Sequence, residues 1–198
     1  NTRVGVLTFT SDATVTAGQC YLNPHHYFPD YSKIDMTAGG KLVTGLLGVG
    51  GTDVLENGIW IPGAGTVELN ANNTLPATHF TNFNNLTITN GTTTLSTDIT
   101  ITNLVIAPSK FMNLGATFAS SAATLWFGGV QQATGQWGPV GSGAQHESPR
   151  FTGTTGRMYV GVPAPPKVTL AIGFSGSDVQ LTWSQGTLLE ATNVTGPW

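Results

Sequence analysis

Residues 67–127 read VELNANNTLPATHFTNFNNLTITNGTTTLSTDITITNLVIAPSKFMNLGATFASSAATLWF, and apolar residues return in this stretch about every nineteen positions. One column consists of pairs separated by one residue: Val67/Leu69, Leu86/Ile88, Leu104/Ile106 and Leu125/Phe127. Two more columns have nearly the same spacing: Ile61, Phe80, Ile99 and Phe118, and Leu55, Leu75, Leu95 and Leu114. Three columns predict three inward faces in each repeat. Short strands rich in Thr, Val and Ile, separated by Gly, Pro and Asn, are typical of an all-β parallel β-solenoid.

The segments between these strands contain residues suited to tight turns. The pairs Gly39-Gly40, Gly50-Gly51, Asn57-Gly58 and Asn90-Gly91 allow positive φ at little steric cost. Asn85 and Asn103 precede equivalent Leu residues eighteen positions apart, which places them at the same corner of successive turns. We therefore expect their amides to hydrogen-bond along the axis, as side chains do in cross-β ladders.

The composition argues against several classes of function. Only 9% of the residues are charged, well under the usual quarter. The seven Lys and Arg residues form no basic cluster, so the sequence predicts binding to neither nucleic acid nor anionic lipid. No apolar run approaches the roughly 18 residues that a membrane helix needs. A Thr-, Ser- and Asn-rich chain that opens on Asn1 rather than Met fits a secreted or cell-surface protein after removal of its signal peptide.

The chain divides into three segments by its pattern. Residues 1–40 read as capping strands followed by an aromatic loop, residues 41–162 as the solenoid, and residues 163–198 as a Pro-rich linker with C-terminal strands. Two earlier pairs of apolar residues have the same spacing, Met36 with Leu55 and Leu42 with Ile61. They indicate that the solenoid begins before residue 41. An uncapped solenoid end exposes unpaired N–H and C=O groups that can pair with another chain. Whether each end is covered therefore decides whether the protein is a monomer or a polymer.

Residues 167–172 and 179–183 predict a β-hairpin after the linker. It resembles the opening half of a fibronectin-type sandwich. Two or three strands do not bury a core alone. We expect this segment to pack on its own solenoid, to pair with a neighbouring molecule, or to be disordered. Pairing with a neighbour would make it a device for polymerisation by β-strand addition.

A more specific resemblance lies in residues 125–138, LWFGGVQQATGQWG, with the later runs at 141–144, 151–153 and 158–160. This part resembles autotransporter-associated β-strand repeat proteins, which are large bacterial surface or secreted proteins. Rungs of the Asn-Leu-Thr-Ile type extend the resemblance over roughly residues 80–160. Gly128 departs from it, because Asn before Gly is usual there. The resemblance implies a right-handed parallel β-helix with a passenger-like role outside the cell, and no catalytic residues.

Alternation along the strands predicts which Trp side chains point outward. If Ile59 and Ile61 face inward, Trp60 faces solvent or a partner, and Trp126 lies outside between Leu125 and Phe127. An isolated outward Trp anchors a protein interface, stacks on a sugar ring, or is covered by a loop of the same chain. The candidate interface or glycan contacts are Trp60, Trp126, Trp137, Trp183 and Trp198.

The sequence predicts no catalytic, cofactor or metal site. The His residues at 25, 26, 79 and 146 lack a metal-ligand spacing, and Cys20 reads as a buried small side chain. Motifs of hydrolases, zinc peptidases and phosphate loops are absent from the sequence. The ten acidic residues are spread along the chain, whereas a polysaccharide-cleaving β-helix needs carboxylates that converge. We therefore do not expect an enzyme.

Together these features predict a secreted structural protein that assembles with copies of itself into an extracellular filament or surface layer. Assembly would use β-strand pairing between subunits, with one terminus of each chain completing the next. The alternative is a carbohydrate-binding adhesin module that uses its Trp residues for stacking on sugar rings. A polysaccharide lyase or hydrolase is the third reading.

Overall fold

The computed structural model describes residues 6–22, 32–50, 58–166, 170–175 and 178–183, and all regular structure in these ranges is β-strand. The contacts divide the chain into two units, Asn1–Ala164 and Pro165–Trp198, with the boundary in the Pro-rich segment. The strands are β1 Val6–Thr8, β2 Thr14–Leu22, β3 Lys33–Asp35, β4 Lys41–Val49, β5 Ile59–Ile61, β6 Thr66–Leu69, β7 Asn73–Thr74, β8 Asn82–Ile88, β9 Thr92–Thr94, β10 Thr100–Ile106, β11 Phe111–Asn113, β12 Ala119–Phe127, β13 Val130–Gln131, β14 Gly135–Gly138, β15 His146–Glu147, β16 Phe151–Thr152, β17 Arg157–Val160, β18 Leu170–Ser175 and β19 Asp178–Trp183.

The first unit is a parallel β-solenoid, as the sequence predicts. Its ten-stranded sheet, here called the long sheet, has the order β15-β14-β17-β12-β10-β8-β6-β4-β2, with β13 beside β12. Two shorter sheets have the orders β1-β3-β5 and β16-β11-β9-β7. Neighbouring strands from β2 to β12 pair in parallel because each is one turn of the coil further along the chain. The right hand of the coil stays a prediction.

The main apolar column has the predicted register. Val67, Leu86, Leu104 and Leu125 are direct partners on β6, β8, β10 and β12. Leu69, Ile88, Ile106 and Phe127 form the second row of partners on the same strands. Most members of the other columns are also internal, since Leu75, Leu95, Leu114, Phe80 and Ile99 are buried and Phe118 packs against the core. The inward position predicted for Ile61 is wrong, because Ile61 is half-buried and pairs with Asp35 on the outer face of β5. Stacked apolar rows inside the coil therefore form the core.

The solenoid begins earlier than residue 41, with longer turns. Strand β1 pairs in parallel with β3, and β2 with β4, so the strands expected to cap the end belong to the coil itself. Val15 pairs with Leu42, and Leu42 pairs with Val67. The predicted correspondence between Leu42 and Ile61 is therefore wrong, because the turn from Val15 to Leu42 spans 42 − 15 = 27 residues and the next, to Val67, spans 67 − 42 = 25, rather than nineteen. Leu55 and the aromatic loop at 23–31 lie outside the described residues.

Glycine is required at turns where the sequence predicts it. Gly40 has φ +83° and Gly91 has φ +71°. A β-carbon at Gly91 would lie 2.5 Å from Asn72 Oδ1, and one at Gly40 would lie 2.7 Å from the carbonyl oxygen of Thr10. Both turns thus combine a left-handed backbone with close approach of the preceding turn.

The second unit contains an antiparallel pair, β18 and β19, in the order of a hairpin. Leu170 pairs with Trp183 at one end and Ser175 with Asp178 at the other. The side chain of Ile172 is 66% exposed. The predicted hairpin is confirmed, and its likeness to a fibronectin-type sandwich stays a prediction.

Candidate functional site

The two ends of the solenoid are built differently. At the C-terminal end, β17 pairs in parallel with β12 and in antiparallel with β14, which in turn pairs with the two-residue β15. Strand β13 folds back on the end of β12 in antiparallel. The segment 128–150, here called the end cap, thus covers the last rungs of the long sheet. A short antiparallel cover is one of the ways in which native proteins blunt a sheet edge.

Trp137 closes the apolar core beneath the end cap. Only 8% of its surface is exposed. Its ring lies 5.6 Å from that of Phe127, edge to face, and 6.5 Å from Phe151. Its outer side stacks on His146 at 4.8 Å, and Nε1 donates to the carbonyl of Ala133 at 2.9 Å. The prediction that Trp137 is a surface contact is therefore wrong: it lies in an insertion that folds over the end of the coil.

The N-terminal end of the long sheet is an edge strand. Among the described residues, β2 pairs with β4 and with no other strand. At nine residues, Thr14–Leu22, it matches the longest strands described here. The sequence TVTAGQCYL contains no charged residue and no proline. Native edge strands use charged residues and proline to prevent pairing with another chain. This edge is our candidate functional site.

The backbone polarity of the first part of this edge, before Gly18, follows from a hydrogen bond to β4. The carbonyl of Ala13 accepts from Lys41 N at 2.8 Å. Backbone groups along a strand alternate between its two edges. The N–H and C=O groups of Thr14 and Thr16 therefore point away from β4, toward the edge.

Apolar surface accompanies the edge. Leu7, Val15 and Cys20 are only partly buried against the core, whereas equivalent positions on the inner strands are fully buried. Val6 is 59% and Tyr21 40% exposed. Burial raises the pKa of the Cys20 thiol, which fits the predicted role of a small packed side chain. A strand added to β2 would cover part of this surface.

Trp60 lies on the core side. It pairs in register with buried Ile34, and paired residues on parallel strands share a face. Its ring lies 5.1 Å from Phe80 and 5.6 Å from Phe83, and Nε1 donates to the carbonyl of Asn82 at 2.7 Å. The prediction that Trp60 projects outward is therefore wrong, because the run Ile-Trp-Ile gave no polar residue to fix the parity of β5.

The remaining Trp candidates differ in what the structure describes. Trp126 is half-buried on the outer wall, where it pairs with Val105, while Leu125 before it is fully buried. The outward projection predicted for Trp126 is confirmed. The side chain of Trp183 and the whole of Trp198 lie outside the described part of the chain.

A polar row on the outer wall ends at Trp126. Asn103 Nδ2 donates to Asn85 Oδ1 at 2.7 Å, as predicted for stacked corner amides. Asn85 Nδ2 continues the row to Thr66 Oγ1 at 3.3 Å, and Thr124 Oγ1 donates to Asn103 Oδ1 at 2.7 Å. Trp126 Nε1 donates to Thr124 Oγ1 at 3.2 Å. This amide ladder ties four successive turns together.

An open groove of about 580 Å³ lies elsewhere on the solenoid. Thr100, Thr102, Ser121 and Ala123 line it together with the segment 161–164. The residues that line it carry no charge. Of the candidate Trp residues whose side chains the structure describes, Trp60, Trp126 and Trp137, none lines it.

Three acidic residues stabilise local structure through hydrogen bonds or ion pairs of their carboxylates. Glu147 accepts hydrogen bonds from the backbone N–H groups of Gly141 at 2.8 Å and Gly143 at 2.7 Å, which lower its pKa. Asp35 pairs with Lys33 Nζ at 2.7 Å and accepts from Thr37, which together lower its pKa to about 2. Glu68 pairs with Lys41 at 2.5 Å.

The Glu147 contacts predict a pH dependence of the end cap. A carboxyl whose pKa is lower in the folded chain stabilises the fold when ionised. Glu147 thus contributes above its ordinary value of 4.5, and the contribution is lost as pH falls through the lower pKa of the folded state. Between about pH 7 and pH 3, we expect the urea midpoint of Glu147→Gln to fall less than that of the unsubstituted protein. Equal falls would contradict this role.

Metal ligands do not converge in the described ranges: no group of three or more His, Cys, Asp or Glu side chains is placed to hold an ion. His146 stacks on Trp137 and contacts the carbonyl of Thr134 through Nε2 at 3.1 Å. His25 and His26 lie outside the described residues. No helix capable of spanning a membrane occurs in the described parts of the chain.

Comparison with known proteins gives no relative, since no family model matches the sequence and no curated protein or solved structure is significantly similar to it.

Proposed function

We propose that the protein is a secreted structural protein that self-assembles into an extracellular filament or surface layer by β-strand pairing between subunits. The observation that carries this proposal is the edge of β2. It offers nine residues of uncharged, proline-free strand beside partly exposed apolar side chains. A strand from another chain would satisfy its outward backbone groups and cover that apolar surface together. The resemblance to bacterial surface repeat proteins and the low charge support a place outside the cell.

The difference between the two ends restricts how subunits join. The end cap covers the last rungs, so simple stacking of one solenoid on the next is blocked at that end. Two β2 edges related by a two-fold axis would form a closed pair. An open filament needs a strand from another part of the neighbouring chain, and residues 167–198, which include the hairpin β18–β19, are the proposed donor. Exposed Ile172 gives that hairpin an apolar residue for the contact.

The proposal is tested by removing one outward N–H group from the edge. In Thr16→Pro the lost N–H is not one that bonds β4, and the exposed side chain leaves the core unchanged. We expect association to weaken about tenfold or more, equivalent to about 1.4 kcal/mol, because a ladder bond is lost and the ring obstructs the edge. Sedimentation velocity over a concentration series measures the change.

Thr16→Val is the matched control, since it retains the N–H group and the preference for strand. It should associate like the unsubstituted protein. Removal of residues 167–198 tests the donor separately: polymers should disappear while the β signal of the solenoid remains. Unchanged association of Thr16→Pro would contradict pairing at β2, and unchanged polymers after the truncation would contradict only the choice of donor.

Glycan binding remains the alternative function, favoured by the position of Trp126. Its indole is half-buried at the end of the amide ladder, where Nε1 donates to the Thr124 hydroxyl and that hydroxyl donates to the Asn103 amide. Trp60 and Trp137 no longer support this function because both rings pack against the core.

A further inference from the structure

Asn90 and Lys110 lie on two successive turns of the solenoid and contact each other. Lys110 Nζ donates to Asn90 Oδ1 at 2.9 Å. Because a carbonyl C=O bond is about 1.23 Å long, Nζ lies within about 4.1 Å of the amide carbon Cγ. Asn90 is also followed by Gly91, whose backbone N–H donates to the same Oδ1 at 3.0 Å. One side-chain amide thus has two nitrogen atoms close to its carbonyl group.

The backbone holds the two turns in this arrangement. Phe111 N donates to the carbonyl of Gly91 at 3.3 Å, which joins the residue after Lys110 to the residue after Asn90. Lys110 N donates to the carbonyl of Ala107 at 3.2 Å, closing its own turn. Strands β9 and β11 continue in parallel register directly after these turns. The stacking of the coil therefore holds the backbones of Asn90 and Lys110 on adjacent turns, within reach of the lysine side chain.

We propose that Asn90 and Lys110 form an isopeptide bond that links successive turns of the solenoid. The reaction starts when the backbone nitrogen of Gly91 attacks Cγ of Asn90. The Cγ–Nδ2 bond breaks, the proton of the Gly91 amide goes to the leaving nitrogen, and ammonia departs. Asn90 and Gly91 are then joined in a succinimide ring. This step is favoured at Asn-Gly because glycine has no side chain to obstruct the attack.

The lysine completes the reaction. Its unprotonated amine attacks Cγ of the ring, the bond from Cγ to the Gly91 nitrogen breaks, and one amine proton passes to that nitrogen. The backbone amide is restored, and Cγ is now bonded to Lys110 Nζ. The net change is loss of one ammonia molecule, with no oxidant, reductant or co-reactant. Water competes for the ring, but an amine held beside Cγ has the advantage of an intramolecular nucleophile.

The cross-link would stabilise the middle of the solenoid in a way that cysteine cannot in this chain. The sequence contains a single Cys, so an internal disulfide is impossible. A bond between Asn90 and Lys110 closes a loop that contains β9 and β10. The closed loop reduces the number of conformations open to the unfolded chain, which stabilises the folded state. This modification is independent of whether the subunits assemble.

The test uses an endoprotease that cleaves before aspartate, because Asp98 lies between the two residues. Purified protein is incubated at about pH 9, since removal of a proton from the attacking nitrogen assists each step. It is then denatured, digested and analysed by mass spectrometry. The expected product is the peptide 53–97 joined to 98–177, lighter than their sum by one ammonia.

Lys110→Arg is the matched variant, since it retains the positive charge and the hydrogen-bond donors but lacks a nucleophilic amine. In this variant the linked product should be absent. The proposal is overturned if the unsubstituted protein yields only separate peptides, whether Asn90 is intact or converted to aspartate or isoaspartate. It is also overturned if the linked product persists in Lys110→Arg.

Discussion

Replacement of Trp137 by alanine is expected to lower the free energy of unfolding by about 3–5 kcal/mol. Trp137 is nearly enclosed, and its ring contacts Phe127 inside the core and His146 outside it. Truncation would remove these contacts, open the core beneath the end cap and leave the carbonyl of Ala133 without its indole donor. Urea unfolding followed by circular dichroism measures the change.

Trp126→Ala is the matched control for this prediction. Its side chain is half-buried on the outer wall, and Nε1 reaches only the neighbouring Thr124 hydroxyl at 3.2 Å. We expect a cost of about 1 kcal/mol or less for this change. Equal costs at Trp137 and Trp126 would contradict the assignment of Trp137 to the closure of the core.

The second large effect is expected for Leu104→Ala, at about 2–5 kcal/mol. Leu104 is fully buried and lies between its partners Leu86 and Leu125 in the apolar column. Rigid neighbouring rungs on both sides prevent collapse of the cavity, which favours the upper part of this range. The measurement is again the urea midpoint and slope.

Val105→Ala provides the comparison on the same strand. Val105 follows Leu104 directly, faces the outer wall and is half-buried. The expected cost is about 1 kcal/mol or less. A larger effect at Val105 than at Leu104 would mean that the inward face of β10 has been assigned incorrectly.

The repeating part of the fold could be predicted from the sequence because each rung repeats the same physical constraints. Leu86 and Leu104 recur with the period of the coil, and parallel register then places them in contact. The same period predicts the hydrogen bond between Asn85 and Asn103, since equivalent corner residues stack. Both predictions needed only the spacing of the repeat and the alternation of side chains between the two faces of a strand.

The ends of the coil could not be predicted in this way. Trp137 lies in an insertion with its own antiparallel pairing, so the period of the coil says nothing about its burial. The sequence around Trp60 is apolar at three successive positions, and alternation alone could not decide which of them faces the core. The β2 edge was missed because early turns are longer than the later repeat. Its only sequence signal is an uncharged, alternating strand before the recognisable columns.

The central claim is that the chain assembles through the edge of β2. The most direct measurement is negative-stain electron microscopy of the unsubstituted protein at micromolar concentration, together with its sedimentation profile. The account predicts regular fibres or sheets and sedimentation that increases with concentration. Uniform monomers at every concentration would contradict self-assembly and would direct attention to Trp126 as a contact for glycans.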